Sequence, residues 1–258
     1  MAIQIISGRP IDDPSYARIG YSNKLLTASS VDYDAVLIPN TYERWELASG
    51  VRAASFQLSP VGLVNYVAIG AHNLFSSGVT NVLIELSLTV GSGYFAVWSG
   101  APKKNSPIFK VFDDYQNIAE VKITITGGSD REIGVIYAGE VLIMQRALYS
   151  GHSPIALSSI TEYRNATSDT GQFLGRRIKR KGLQASFAWA NLTDEWYREN
   201  FQPFVISAKI APFFMNWRPD YYSEESAFGY TTGDIAPSNQ GGTTRMMGVS
   251  FTMRAHDE

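Results

Sequence analysis

Three histidines, His72, His152 and His256, are the only side chains whose ordinary charge change falls near neutral pH. Metal or acid–base chemistry would need partners at a working spacing, and neither H-x-x-x-H nor H-E-x-x-H occurs. His72 and Asn73 follow the apolar run 66–71, so the pair sits at a strand end, where a loop hydrogen-bonding role suits it. His152 lies in a linker-like stretch and His256 in a charged tail. Adjacent acids occur at Asp12/Asp13, Asp113/Asp114 and Glu224/Glu225. Neighbouring carboxylates on a strand point to opposite faces, and none of these pairs sits in a D-x-D-x-D-G calcium loop. Gly91-Ser92-Gly93 lacks the G-x-S-x-G pattern of a nucleophile elbow, and Gly127-Gly128 lacks the Lys-Ser/Thr of a phosphate loop. With no cysteine there is no thiol nucleophile, thiolate ligand or disulfide. The expectation is a protein with no catalytic residues, no metal site and no cofactor.

One concentration of charge remains. Arg176-Arg177-Ile178-Lys179-Arg180-Lys181, framed by Gly175 and Gly182, places five cations in six residues. Such a run contacts phosphate, an anionic glycan or an acidic neighbour, or else guards a strand edge against unwanted pairing. Because the chain as a whole carries −2, an edge or inter-subunit role is the favoured expectation.

The elements that must carry these residues are strands. Residues 121–126 read VKITIT and 247–253 read MGVSFTM, each with a period of two. That alternation marks half-buried antiparallel strands. Further strand candidates lie at 36–38, 53–58, 66–69, 82–90, 94–98, 132–137 and 141–145, then at 160–164, 182–190, 204–214 and 244–253. Short strands at this spacing predict a mainly β fold: an N-terminal β-sandwich (jelly roll), then a second β-rich domain. Asn191-Leu192-Thr193-Asp194-Glu195 predicts the start of one short helix, with cap side chains and then acids in the first turn. Pro203 is expected to end it. The partition read from the pattern is an N-terminal arm at 1–24, a sandwich at 25–147 and a β-rich assembly domain at 160–258. A long polar excursion at 218–243 reads as a functional or partner-bound loop.

The chain has 258 residues with 45% hydrophobic and 18% charged, and it is rich in Tyr and Phe. Low charge with many aromatics leaves surface to bury, some of it against other subunits. The slightly acidic balance argues against a nucleic-acid partner, and no stretch reaches the length needed to cross a bilayer. The first ten residues lack the pattern of a signal peptide, so synthesis in a cytoplasm is expected. Expected subunit contacts are Ile3 and Ile5 in the arm, then Arg176, Arg177, Lys179, Arg180 and Lys181, then Trp217, Tyr221 and Tyr222.

Residues 36–47 (VLIPNTYERWEL) with 65–74 (NYVAIGAHNL) resemble the opening of a β-sandwich in structural proteins of tailed bacteriophages, itself similar to galactose-binding, discoidin-like jelly rolls. Residues 212–230 (PFFMNWRPDYYSEESAFGY) resemble a stretch in the C-terminal part of such tail proteins. The resemblance implies a virion protein made in the bacterial host, forming a symmetric homo-oligomer in the tail, baseplate or tail tip and joining other tail proteins. It also offers an alternative, a carbohydrate-binding module for host-surface glycan. Tyr42, Trp45, His72 and Asn73 are the loop aromatic and planar polar residues it would use, although for Trp45 a core or interface anchor is the favoured expectation.

Overall fold

In the computed structural model the described residues are 16–29, 31–148, 151–219, 221–241 and 245–256. The chain is mainly β: a jelly-roll sandwich, then a second β-rich unit with one short helical segment. The first nine strands are β1 (Arg18–Gly20), β2 (Leu25–Ala28), β3 (Trp45–Leu47), β4 (Arg52–His72), β5 (Val79–Ser87), β6 (Phe95–Gly100), β7 (Ile108–Gly127), β8 (Arg131–Gly139) and β9 (Leu142–Ile143). Six more follow: β10 (Ser159–Thr167), β11 (Phe173–Thr193), β12 (Phe213–Asn216), β13 (Ser226–Thr231), β14 (Pro237–Asn239) and β15 (Met246–Ala255).

The jelly roll is one antiparallel ladder in the order β3-β8-β4-β7-β5-β6, with β2 added to β4. Strands β4 and β7 pair from Arg52↔Ile125 to Gln57↔Glu120 and again from Tyr66↔Val111 to Ile69↔Ile108, with register breaks between. Such breaks bend a strand, and here they let one ladder wrap a single core. Phe56 and Leu58 from one half of β4 share that core with Val67 and Ile69 from the other half. The alternation at 121–126 is borne out: Val121, Ile123 and Ile125 are buried, while Lys122, Thr124 and Thr126 are not.

The second sheet runs β10-β11-β15-β13-β12-β1-β9, with β14 on β15. Val249, Phe251 and Met253 of β15 point into its core with Phe187, Trp189 and Phe213. The helical segment closes that core. Thr193 caps α1 (Asp194–Trp196) by accepting from the Trp196 N–H, and a π-turn (Tyr197–Phe201) leads into α2 (Gln202–Ser207). Phe201 and Phe204 supply its buried face.

The two sheets meet at an aromatic seam. Tyr66, Phe109 and Tyr137 of the jelly roll pack on Phe214 and Phe228 of the second sheet, the last two with ring centroids 4.6 Å apart. Two glycines allow this approach. A Cβ on Gly70 would lie 2.8 Å from the Phe214 ring, and one on Gly20 would lie 2.6 Å from the Tyr66 ring. Residues 64–72 are consequently buried on both faces, which explains the apolar run at 66–71.

Four sequence expectations change. Residues 36–38 lie in and just beyond a 3-10 turn (Val31–Leu37), with Val36 filling the jelly-roll core. Residues 204–214 are not one strand, because α2 continues to Ser207 and β12 begins only at Phe213. The helix passes through Pro203: in the π-turn the Gln202 N–H reaches the Tyr197 carbonyl, and Pro203 then falls in the first turn of α2, where no N–H is required. The excursion at 218–243 contains β13, a central strand whose Ala227 and Phe228 are buried on opposite faces, and β14. Sheet membership also interleaves across the expected partition. Arg18–Gly20 pairs with β12 and β9 in the second sheet, so strands from 18–20 and 142–143 flank the jelly roll in sequence but not in pairing.

Candidate functional site

The four residues expected to contact glycan do not form an open platform. Trp45 on β3 and His72 on β4 both lie opposite Ile133 of β8, and each is only 3% exposed. Their alternation places them inward, where Trp45 is part of the jelly-roll core. Burial lowers the His72 pKa from 6.5 to about 4, outweighing the opposing pull of the Ser106 backbone, so the ring is neutral near pH 7. Its Nδ1 accepts from the Leu74 N–H at 3.4 Å. Asn73 ties two loops together, donating to the Asp130 carbonyl and accepting from the Glu132 N–H, both at 2.8 Å. Tyr42 alone faces solvent, at 93% exposure. The Asn40 side chain holds its loop by accepting the Tyr42 and Glu43 N–H groups at 3.0 and 2.9 Å.

The basic run is displayed rather than packed. Strand β11 pairs with β15 only from Leu183 onward, while residues 173–182 pair with β10 alone. The outer part of the β10–β11 hairpin therefore leaves the sheet, and none of the residues 160–181 is buried. Lys179 pairs with Glu162 at 2.7 Å and Arg180 approaches the same carboxylate at 3.8 Å. Arg176 donates to Asn165 at 2.8 Å and lies over the Tyr163 ring. Arg177 and Lys181 have no ion pair among the described residues. Phe173 and Leu174 near the tip are 65% and 66% exposed. Ile3 and Ile5 lie outside the described residues.

Trp217, Tyr221 and Tyr222, expected as subunit contacts, lie together in one cluster. Trp217 and Tyr222 stack with centroids 5.3 Å apart and planes 15° apart, and Arg218 lies over both Trp217 and Tyr221. The Trp217 Nε1–H donates to Glu225 at 2.6 Å.

Sequence reading missed the clefts between the two sheets. One, of about 310 Å³, is lined by Trp98 of β6, the 101–107 loop, Lys110 of β7 and Glu224. Lys110 stands over the Trp98 ring at 4.9 Å, and Lys103 pairs with Glu224 at 3.0 Å. Burial pulls the Lys110 pKa down, against the pull of Glu224. A second cleft, of about 430 Å³, lies between the Tyr42 loop and the second sheet, with Arg180, Lys181, Tyr230, Arg254 and His256 in its wall. These residues come from segments far apart in sequence. The one local signal was Lys103-Lys104 between Pro102 and Pro107, close after Trp98.

No protein family and no curated protein matches the chain. Solved structures with similar folds include a pectin-binding carbohydrate-binding module, at 14% identity over 46% of this chain and 93% of that one, with a TM-score of 0.38. Chitosan-binding module 1 of a chitosanase/glucanase from Paenibacillus sp. IK-5 is 15% identical over 47% of this chain and 98% of that one, with a TM-score of 0.39. An F5/8 type C domain from Bacteroides fragilis is 8% identical over 48% of this chain and 95% of that one, with a TM-score of 0.38. Each spans less than half of the present chain, and nothing about ligand or activity passes from them to it.

Proposed function

We propose that the protein is a structural subunit that works by assembling with copies of itself through the β10–β11 hairpin. The observation that carries this reading is the hairpin's exposure. A two-stranded ribbon free on both faces is marginal in water by itself, and this one also holds Phe173, Leu174 and Ile178 in solvent. Seating it on a neighbour buries those side chains. Charge favours a second copy as that neighbour. Residues 159–181 carry six cations against two carboxylates, a formal +4, which leaves −6 for the rest of a chain whose total is −2. Repetition of one contact between identical subunits closes into a symmetric ring when the rotation allows. Sedimentation velocity on the full chain tests this. Oligomers that fall apart in high salt, and in a variant with residues 161–181 replaced by a tight turn, support the reading. A monomer at every concentration, or an oligomer indifferent to the replacement, refutes it.

The finer reading is a tail, baseplate or tail-tip component of a tailed bacteriophage virion, contacting other tail proteins. It rests on the resemblance of residues 36–47, 65–74 and 212–230. Gold-labelled antibody decorating a tail end in electron micrographs is the expected result, and unlabelled tails would refute it.

A second reading is recognition of host-surface glycan. Its support is the Tyr42 cleft, where two tyrosines, Tyr42 and Tyr230, stand beside several cations at an open mouth. A Tyr42→Ala variant that folds and loses polysaccharide binding is the expected outcome, and unchanged binding would count against that cleft.

A further inference from the structure

We infer that the clefts between the jelly roll and the second sheet form one groove that takes a linear, carboxylate-bearing polysaccharide. The inference rests on the glycan reading above and names the class of glycan. Continuity comes from shared walls. A third cleft, of about 220 Å³, shares Lys104, Ser106 and Glu224 with the Trp98 cleft, and shares His256 with the Tyr42 cleft. The three thus run end to end along the line where the two sheets meet.

The lining is cationic at both ends and polar between them. Lys103, Lys104 and Lys110 stand at one end, and Arg180, Lys181 and Arg254 at the other. Among the described lining residues the one carboxylate is Glu224, which Lys103 engages at 3.0 Å. Six lining cations face one lining acid, with Glu162 beside Arg180 as the nearest further carboxylate, and on a chain of net −2 they concentrate positive potential at the two ends. Lys110 is held in a partly desolvated place over Trp98, where an incoming anion would relieve the cost of its charge.

A polyuronate chain fits this lining better than a nucleic acid. Its charge comes once per sugar, and its C–H faces suit Tyr42 and Tyr230 at the open end. Single-stranded nucleic acid would want a ladder of free aromatic faces, but Lys110 covers the Trp98 face.

The test is affinity electrophoresis and calorimetry of the full chain with polygalacturonate, a neutral galactan and an oligothymidylate. Lys104→Glu and Arg254→Glu change the two ends separately, and Arg164→Glu on the hairpin is a control outside the groove. Thermal melts confirm that each variant folds. The expected result is salt-sensitive polygalacturonate binding, weakened at least tenfold by Lys104→Glu and by Arg254→Glu but within twofold of native in the control. Binding of neutral galactan alone would overturn the inference while leaving the glycan reading standing. Tighter binding of oligothymidylate, equal effects of all three variants, or no polysaccharide binding at all would each overturn it as well.

Discussion

His72 gives the sharpest test of how the jelly-roll core is built. Its ring is buried on β4, and burial lowers its pKa from the ordinary 6.5 to about 4. Between those two pH values the unfolded chain binds a proton that the folded chain refuses. Folding stability is therefore complete above pH 6.5 and is lost as the pH falls toward 4. At 1.36 kcal/mol per pH unit the full window is worth roughly 3 kcal/mol. Most of it, about 2 kcal/mol or more, appears between pH 7 and 4.5. Burial raises the Glu120 pKa but hydrogen bonds from Gly91 and Tyr94 outweigh it and hold the carboxyl below its usual range, so its contribution too is lost in acid, and the comparison with His72→Leu separates the two. Urea unfolding at pH steps from 7 to 4.5, on the native chain and on His72→Leu, reads the effect directly. The substitution removes the acceptor of the Leu74 N–H and so costs a constant amount at every pH. What it must also remove is the slope. Parallel stability curves for the two proteins would refute the placement of His72 in the core and reopen it as a solvent-facing ligand residue.

Other outcomes follow from the seam, the helix and the surface. Phe214→Ala empties the centre of the aromatic seam and is expected to cost about 3–5 kcal/mol in urea unfolding, with the two sheets losing a common transition. Gly70→Val forces a Cβ to within 2.8 Å of the Phe214 ring and is expected to lower stability by about 1–3 kcal/mol, a loss partly recovered by adding Phe214→Leu. Thr193→Ala removes the helix cap and the acceptor of the Gln145 side chain, with an expected cost of about 1 kcal/mol. Tyr42→Ala, at an exposed loop tip, is expected to leave stability within about 0.5 kcal/mol while changing any binding at the cleft.

The legible parts of the fold were those where one face is buried and the other wet. VKITIT and MGVSFTM display that contrast residue by residue, and both are strands with the expected inward sets. Strands β1 and β9, with three and two residues, are too short to carry a period, so their place in the second sheet was invisible. The helix start was readable from Thr193 and its acids, but the π-turn that carries it past Pro203 leaves no mark in composition. At the candidate site, residue type was a poor guide to direction. Trp45 and His72 are chemically suited to a sugar, yet strand alternation turns both inward. The groove joins Trp98 and Lys104 to Arg180 and Arg254, positions brought together only by the packing of one sheet on the other. The basic run, by contrast, is plain in the sequence as a block of charge, and its exposure on a projecting hairpin gives that charge a use.

The central claim is that this ribbon exists to touch another copy. Single-particle electron microscopy of the purified full chain addresses it most directly. The expected image is a closed ring in which density for residues 160–181 lies against the adjacent subunit. Single particles with the hairpin standing in solvent, or a ring closed through a different surface, would contradict it.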